Sequence, residues 1–264
     1  MNQLNLSICI VTYESLDLVK TFHRELNESL NAFFDYEILY FDNSQSDLVF
    51  DFLSNNSNEH QKLYRDKRNM GFSYANNQLI LKSRYEKILL LNPDVFGLTA
   101  KKWVDIVDAY KAETAMFVRL LNPDYSFQNC IGEVTSWKRT ITKNVDYSLI
   151  NSEVRIGMGI MAFMLADKNT FSKVGILDCS YALYSEDMDW CYRANKLGIS
   201  VIYNPKIELI HIGGGSAKSK WSERVTLRKK YLAERIFIRK HYSGVNRYSL
   251  LILNYMKILL KTVV

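Results

Sequence analysis

The sequence predicts an α/β fold built on a mainly parallel sheet. Short, β-rich apolar runs alternate with segments of helical apolar spacing from residue 6 to residue 121, and strands separated by helices pair in parallel through crossovers. Short polar clusters follow several strands, at the sheet edge where such folds bind ligands.

Each element has its own signal. Residues 6–12 form an apolar run that reads as a buried strand, and residues 16–34 carry helical spacing through Leu16, Val19, Phe22, Leu26, Leu30 and Phe33. Residues 37–42 read as the second strand, 47–54 as a short helix, 63–65 as a third strand and 73–83 as a helix. Residues 87–91 (Lys-Ile-Leu-Leu-Leu) are a buried strand, followed by a helix over 99–112 and a strand over 116–121. Residues 122–155 are polar and irregular and predict no element. Beyond them the pattern predicts a strand over 158–165, a helix over 168–174, a helix over 186–197 with Ser185 as its cap, and two short strands over 201–203 and 207–211.

The chain has 264 residues, is 48% hydrophobic and holds three prolines. With no Gly/Ser-rich linker, this size fits one compact domain over 1–216 and an appendage over 217–264. The four cysteines (Cys9, Cys130, Cys179, Cys191) are scattered without a Cys-x-x-Cys pair, which argues against a zinc site or disulfide scaffold and for a reducing, cytoplasmic setting. The N-terminus lacks a basic region, and its apolar run at 8–11 is too short for a signal peptide. Charge is uneven. Residues 216–264 hold twelve lysines and arginines against two acids, a net of +10, while the rest holds 22 against 26, a net of −4. A basic tail on an acidic body predicts contact with an anionic surface.

The polar groups after the strands are Thr12-Tyr13-Glu14, Asp42-Asn43-Ser44, Asn92-Pro93-Asp94 and His211. Asp94 at a strand tip suits a divalent cation bridging phosphates, since Mg²⁺ takes few protein carboxylates; a plain turn is the alternative. Asp42, Asn43 and Ser44 suit a base and ribose, or an Asx turn. Arg68-Asn69-Met70-Gly71-Phe72-Ser73 opens a helix, with Ser73 or Asn69 as cap, and a helix N-terminus favours anions. Glu186, Asp187 and Asp189 open another helix. They complement its dipole, Arg193 pairs with Asp189 at i,i+4, and one of them can serve as a general base. His211 precedes Gly213-Gly214-Gly215 and is either structural or a metal ligand.

Taken in order, these residues resemble family 2 glycosyltransferases, which have the nucleotide-sugar-binding, Rossmann-like GT-A fold; the rhamnosyltransferase-like bacterial subgroup is most similar. The resemblance covers roughly residues 6–216. Its motifs are Ile10-Val11-Thr12-Tyr13, Asp42-Asn43, the run from Asn69 to Asn77, Leu91-Asn92-Pro93-Asp94, and Tyr184-x-Glu186-Asp187-x-Asp189-x-Cys191-x-Arg193. Gly198, Tyr203-x-Pro205, His211, Gly214 and Ser216 complete the set. The resemblance implies a nucleotide-sugar site formed by Thr12, Tyr13, Glu14, Asp42, Asn43, Ser44, Asn69, Gly71, Asn92 and Asp94. It implies Mg²⁺ or Mn²⁺ on Asp94 and His211, and Asp187 as base with Glu186 beside it. Asp189, Trp190 and Arg193 fall to structure or the acceptor side. It further implies inverting transfer of a sugar, L-rhamnose from dTDP-rhamnose or a UDP-sugar, to a lipid-linked or polysaccharide acceptor in bacterial surface glycan (O-antigen) synthesis. The departures are Glu14 for Asn, Gln45 for Ser, Asn92 for Asp, and Asp167-Lys168 where a basic pair is common.

The tail interleaves Arg228-Lys229-Lys230, Arg235 and Arg239-Lys240 with Leu227, Tyr231, Ile236 and Phe237. An apolar helix follows, with Arg247, Asn254, Lys257 and Lys261 on one face. It predicts an in-plane helix on the inner face of the cytoplasmic membrane, or a helix pair packed on the body. A nucleotidyltransferase would want a glycine-rich basic loop where Tyr13-Glu14-Ser15 stands, and a dinucleotide oxidoreductase would want Gly-x-Gly-x-x-Gly there. The acidic body argues against a nucleic-acid-binding module.

Overall fold

The computed structural model describes residues 2–137, 145–213 and 222–262. Its first half follows the predicted alternation: β1 (Asn2–Thr12), α1 (Leu16–Leu30), β2 (Phe33–Asp42), α2 (Leu48–Asn55), β3 (Gln61–Arg65), α3 (Phe72–Lys82) and β4 (Lys87–Leu91). β1 pairs in parallel with β2 on one side and β4 on the other, and β2 pairs in parallel with β3. The chain therefore steps outward from β1 to β3, then crosses back through α3 to the far side of β1. Such a reversal opens a crevice at the carboxyl ends of the strands on either side. These strands are nearly all apolar because both their faces are covered; Ile8, Cys9, Ile10, Ile88, Leu89 and Leu90 are fully buried. α1 turns Val19, Phe22, Leu26 and Leu30 inward at three- and four-residue spacing.

The second half holds β5 (Val95–Phe96), α4 (Ala100–Ala109), β6 (Thr114–Leu121), β7 (Ile131–Gly132), a 3₁₀ turn at Tyr147–Leu149, β8 (Val154–Arg155), β9 (Met158–Gly159), β10 (Phe163–Asp167), α5 (Lys168–Val174), α6 (Glu186–Lys196) and β11 (Ser200–His211). The main sheet runs β3-β2-β1-β4-β10-β6-β11-β5, with β8 also on β11. β10 lies antiparallel between β4 and β6, β11 runs parallel to β6, and β7 and β9 form a separate ribbon.

Several expectations change. The strand expected over 158–165 is two strands, β9 and β10. Gly159 passes so close to Phe117 that a Cβ there would lie 2.4 Å from the ring, and the chain leaves the ribbon before rejoining the main sheet. The two short strands expected over 201–211 are the single strand β11, whose register shifts between Asn204 and Glu208. Pro205 sits in that irregularity, as a residue without an N–H must within a sheet. Residues 33–34, expected to end α1, begin β2. The tail forms α7 (Glu223–His241), whose N-cap Ser222 Oγ accepts from Val225 N, and α8 (Gly244–Thr262). Ala233, Phe237 and Ile238 of α7 and Leu250 of α8 are buried with Tyr181 and Met188 of the body. Asn254, expected on a polar face of the last helix, is buried instead and donates to Glu234 Oε2 at 2.8 Å and to Tyr231 O at 3.2 Å. Gly214, Ser216 and the 216/217 boundary lie outside the described residues, as does the Lys261 side chain.

Candidate active site

Four polar groups meet along one edge of the sheet. Thr12 ends β1 and donates to Asp42 Oδ1 at 3.0 Å; Asp42 ends β2, and the same oxygen accepts from Ser44 N at 3.1 Å and Ser44 Oγ at 2.5 Å. Asp42 Oδ2 has no hydrogen bond and lies 3.6 Å from Arg65 Nε. Glu14 braces the next loop, accepting from Gln45 N at 3.0 Å and Ser46 Oγ at 2.8 Å. Tyr13 beside it is half-buried. The loop before α3 closes this side. Asn43 Nδ2 donates to Gly71 O at 3.2 Å, and Asn69 Oδ1 accepts from Gly71 N at 3.4 Å. Neither Asn69 nor Ser73 caps α3; Gly71 holds the N-cap position with φ 87°.

Asp94 and His211 are brought together by β5, a strand of two residues with no sequence signal. Val95 of β5 pairs with His211 of β11, and Ile212 N donates to Asp94 O at 3.0 Å. Both side chains are buried, with His211 Nε2 3.3 Å from Asp94 Oδ1. Asn92 precedes them, half-buried in a turn in which Val95 N donates to its carbonyl. Among the described residues no three His, Cys, Asp or Glu side chains converge on one point. A divalent cation here would rest on Asp94 and His211, with phosphate oxygens and water completing its shell, as Mg²⁺ commonly does. The donor set fits: one carboxylate, one imidazole, and a buried Asp94 oxygen that makes no hydrogen bond.

The acidic segment lies at the start of α6. Its corner is strained, with Tyr184 at φ 70° and Ser185 at φ 69°. Ser185, expected to cap the helix, makes no capping hydrogen bond because its backbone is left-handed. Two links hold this segment against α3 and the loop before it. Asn77 of α3 donates to Leu177 O and accepts from Leu177 N, both at 2.8 Å, and the Cβ position at Gly71 lies 3.4 Å from Ala182 O. The three acids differ. Burial pushes the Glu186 carboxyl up, and the charge of Asp187 adds to this. Burial likewise raises Asp187, against hydrogen bonding from Met188 N and the nearby Lys230 charge. In Asp189 burial is outweighed by hydrogen bonds from His241, Lys240 and Arg193, which hold its carboxyl far below the usual range. Trp190 is fully buried and donates to Gly175 O at 2.8 Å, and Arg193 donates to Asp189 Oδ2 at 2.9 Å and to the carbonyls of Val174 and Ile176.

Among the described residues, eight buried side-chain N or O atoms have no hydrogen-bond partner, and five of them are Asp42 Oδ2, Asn43 Oδ1, Ser73 Oγ, Asp94 Oδ1 and Glu186 Oε2. Buried polar groups are normally paired, and of these five all but Asp42 Oδ2, which faces Arg65, are left with capacity for a polar ligand. Sequence reasoning missed four participants. Gln128, which meets His211, lies in the unpatterned 122–155 stretch; Lys230 and the Lys240–His241 pair lie in the basic tail.

The sequence is 27% identical to the rhamnosyltransferase WbbL of Escherichia coli (strain K12) over 262 residues, spanning 88% of this chain and 96% of that protein. It is 23% identical to the low-salt glycan biosynthesis hexosyltransferase Agl10 of Haloferax volcanii over 264 residues, spanning 94% and 81%. No family model matches the chain. Among solved structures, the mannosyltransferase PcManGT of Pyrobaculum calidifontis, in complex with GDP-Man and Mn²⁺, superposes with a TM-score of 0.59 at 10% identity over 99% of this chain and 71% of that one. This is the GT-A fold, in a chain similar to family 2 glycosyltransferases. Asp94 follows β4 and His211 ends β11, so both lie at the carboxyl edge of the sheet that ends in Thr12 and Asp42.

Proposed function

We propose that the chain is an inverting glycosyltransferase that moves a sugar from a nucleoside-diphosphate donor to a hydroxyl of a lipid-linked or polysaccharide acceptor. The observation that carries this reading is Asp94 Oδ1, buried without a hydrogen bond 3.3 Å from His211 Nε2, on the same sheet edge as Asp42 and the Asn43 oxygen that makes no hydrogen bond. The base and ribose fall to Thr12, Tyr13, Asp42, Asn43 and Ser44, with Glu14 shaping their loop. Asn69, Gly71 and Asn92 flank the diphosphate. Mg²⁺ or Mn²⁺ on Asp94 and His211 would neutralise the leaving diphosphate.

Asp187 is the general base, with Glu186 beside it. It takes the proton of the acceptor hydroxyl while that oxygen forms its bond to the anomeric carbon. The bond from that carbon to the diphosphate oxygen breaks, and the diphosphate leaves with the electron pair. dTDP-rhamnose is the favoured donor, supported by the likeness to a rhamnosyltransferase. The hexosyltransferase relative and the GDP-Man complex make UDP- and GDP-sugars the alternatives. Thermal-shift measurements with dTDP, UDP and GDP, each with and without Mn²⁺, are expected to show stabilisation by one nucleotide that grows with the metal. Stabilisation by none of them contradicts the reading.

The acceptor side is proposed to sit on the inner face of the cytoplasmic membrane, with residues 217–264 as a peripheral anchor. α7 exposes Val225, Leu232 and Ile236 on one stripe, with Arg228 and Arg239 exposed alongside, the pattern of a helix lying in an anionic interface. No helix among the described residues is long and apolar enough to cross a membrane. The full chain is expected to sediment with phosphatidylglycerol-rich vesicles and release with salt, and the double charge reversal Arg228→Glu/Arg239→Glu is expected to lose most of that binding. Equal sedimentation of the variant would contradict the anchor.

A further inference from the structure

We infer that Gln128 is a positioning residue for the cation site, fixing which nitrogen of His211 faces Asp94. The inference rests on the metal reading of Asp94 and His211. Gln128 follows β6 and is held by its own backbone, its N–H donating to Leu120 O at 3.0 Å. Its side-chain amide makes three contacts. Nε2 donates to Asn122 Oδ1 at 3.0 Å and to the His211 carbonyl at 3.0 Å, and Oε1 lies 2.6 Å from His211 Nδ1.

These contacts leave one orientation for the amide. A backbone carbonyl only accepts, so the NH₂ group must face His211 O. Asn122 is fixed in the same way, since its own Nδ2 donates to Ser126 Oγ and to Phe127 O. The Gln128 oxygen therefore faces the imidazole, and an amide oxygen only accepts. Whenever the His211 ring is neutral, its proton is therefore held at Nδ1 and Nε2 is bare. That nitrogen lies 3.3 Å from Asp94 Oδ1, which has no hydrogen-bond partner. Two electron-pair donors facing each other at that distance are matched by a cation. The backbone makes room for the arrangement. At Gly213, φ is +69° and a Cβ would lie 3.3 Å from Gln128 Nε2, pressing on the amide.

Outer partners of this kind set ring orientation and typically change metal affinity by about 10–100-fold when removed. Two readouts on the full chain test the role. In the metal-free protein at about pH 9, well above the ordinary histidine pKa of about 6.5, ¹⁵N–¹H correlation of the ring nitrogens is expected to show the His211 proton on Nδ1. In Gln128→Ala the proton is expected to redistribute to Nε2. Gln128→Glu, whose carboxylate still accepts from Nδ1, is expected to restore the wild-type tautomer. In parallel, Mn²⁺ alone, titrated with free metal followed by electron paramagnetic resonance, is expected to bind Gln128→Ala about 10–100-fold more weakly than wild type, with Gln128→Glu recovering the loss. A wild-type proton on Nε2, or a tautomer unchanged in folded Gln128→Ala, overturns the inference whatever the metal does. Failure of the wild type to bind Mn²⁺ while the tautomer shifts as expected overturns the metal reading and leaves the role of Gln128 standing.

Discussion

Asp187→Asn is expected to lower turnover by about 10²–10⁴-fold, the usual contribution of a positioned general base, while leaving binding of the nucleoside-diphosphate donor near normal. The amide keeps the shape of the carboxylate and can still accept from Met188 N, now 2.7 Å from Asp187 Oδ1, but it cannot take a proton. The loss should not come from unfolding. Burial raises both carboxyl groups, and the charge of Asp187 raises Glu186 further, so neutralising Asp187 removes a buried charge that Glu186 opposes, and the variant should melt no lower than wild type at pH 8. The same perturbation predicts a pH profile. A base must be ionised, so wild-type kcat/KM should climb with pH through a value above the ordinary Asp pKa of about 3.9, because burial delays ionisation. Release of nucleoside diphosphate in the presence of acceptor measures both. Near-normal turnover in Asp187→Asn removes Asp187 from the role.

Asp189→Asn is expected to destabilise the protein by about 3–5 kcal/mol, the range for breaking a buried ion pair on one side. Asp189 is fully buried and links α6 to the tail. Oδ1 accepts from Tyr181 OH at 3.2 Å, Lys240 Nζ at 2.7 Å and His241 Nε2 at 2.7 Å, and Oδ2 from Arg193 Nε at 2.9 Å. With the carboxylate gone, Arg193 and Lys240 remain around an uncharged group. Because the folded carboxyl is held far below its ordinary value, its stabilisation is present above about pH 4 and lost as pH falls through the depressed folded value. The gap between variant and wild type should therefore be widest near neutrality and close in strong acid. Denaturant melts at pH 7 and at pH 3 check this. A loss under about 1 kcal/mol at neutral pH would mean the tail is not held through Asp189.

Much of this architecture could be read from the sequence. The alternation from β1 to β4 was legible because each element is long enough to show its period, and Asp42, Asp94 and His211 were marked by their positions after apolar runs. What was not legible is tertiary. β5 is two residues long and carries no periodicity, yet it sets Asp94 beside His211. The break between β9 and β10 follows from Gly159 passing the Phe117 ring, a contact between residues 42 positions apart. The i,i+4 pairing of Arg193 with Asp189 could be seen locally, but Lys240 and His241 approach the same carboxylate from a helix some 50 residues on. Gln128 lies in a stretch whose polar, irregular sequence shows nothing until it is folded against β11. Ser185 looked like a cap by residue type, but the left-handed turn that presents Glu186 and Asp187 takes it out of capping geometry.

The central claim is that the crevice at the ends of β1, β2 and β4 holds a nucleoside diphosphate through a cation on Asp94. Calorimetric titration of UDP, dTDP and GDP with Mn²⁺ into the wild type and into Asp94→Asn tests it most directly. One nucleotide is expected to bind the wild type, with affinity falling at least about tenfold, or about 1.4 kcal/mol, both on chelation of the metal and in the folded variant. Binding that is indifferent to Asp94 and to chelation, or no binding by any of the three, would contradict the account.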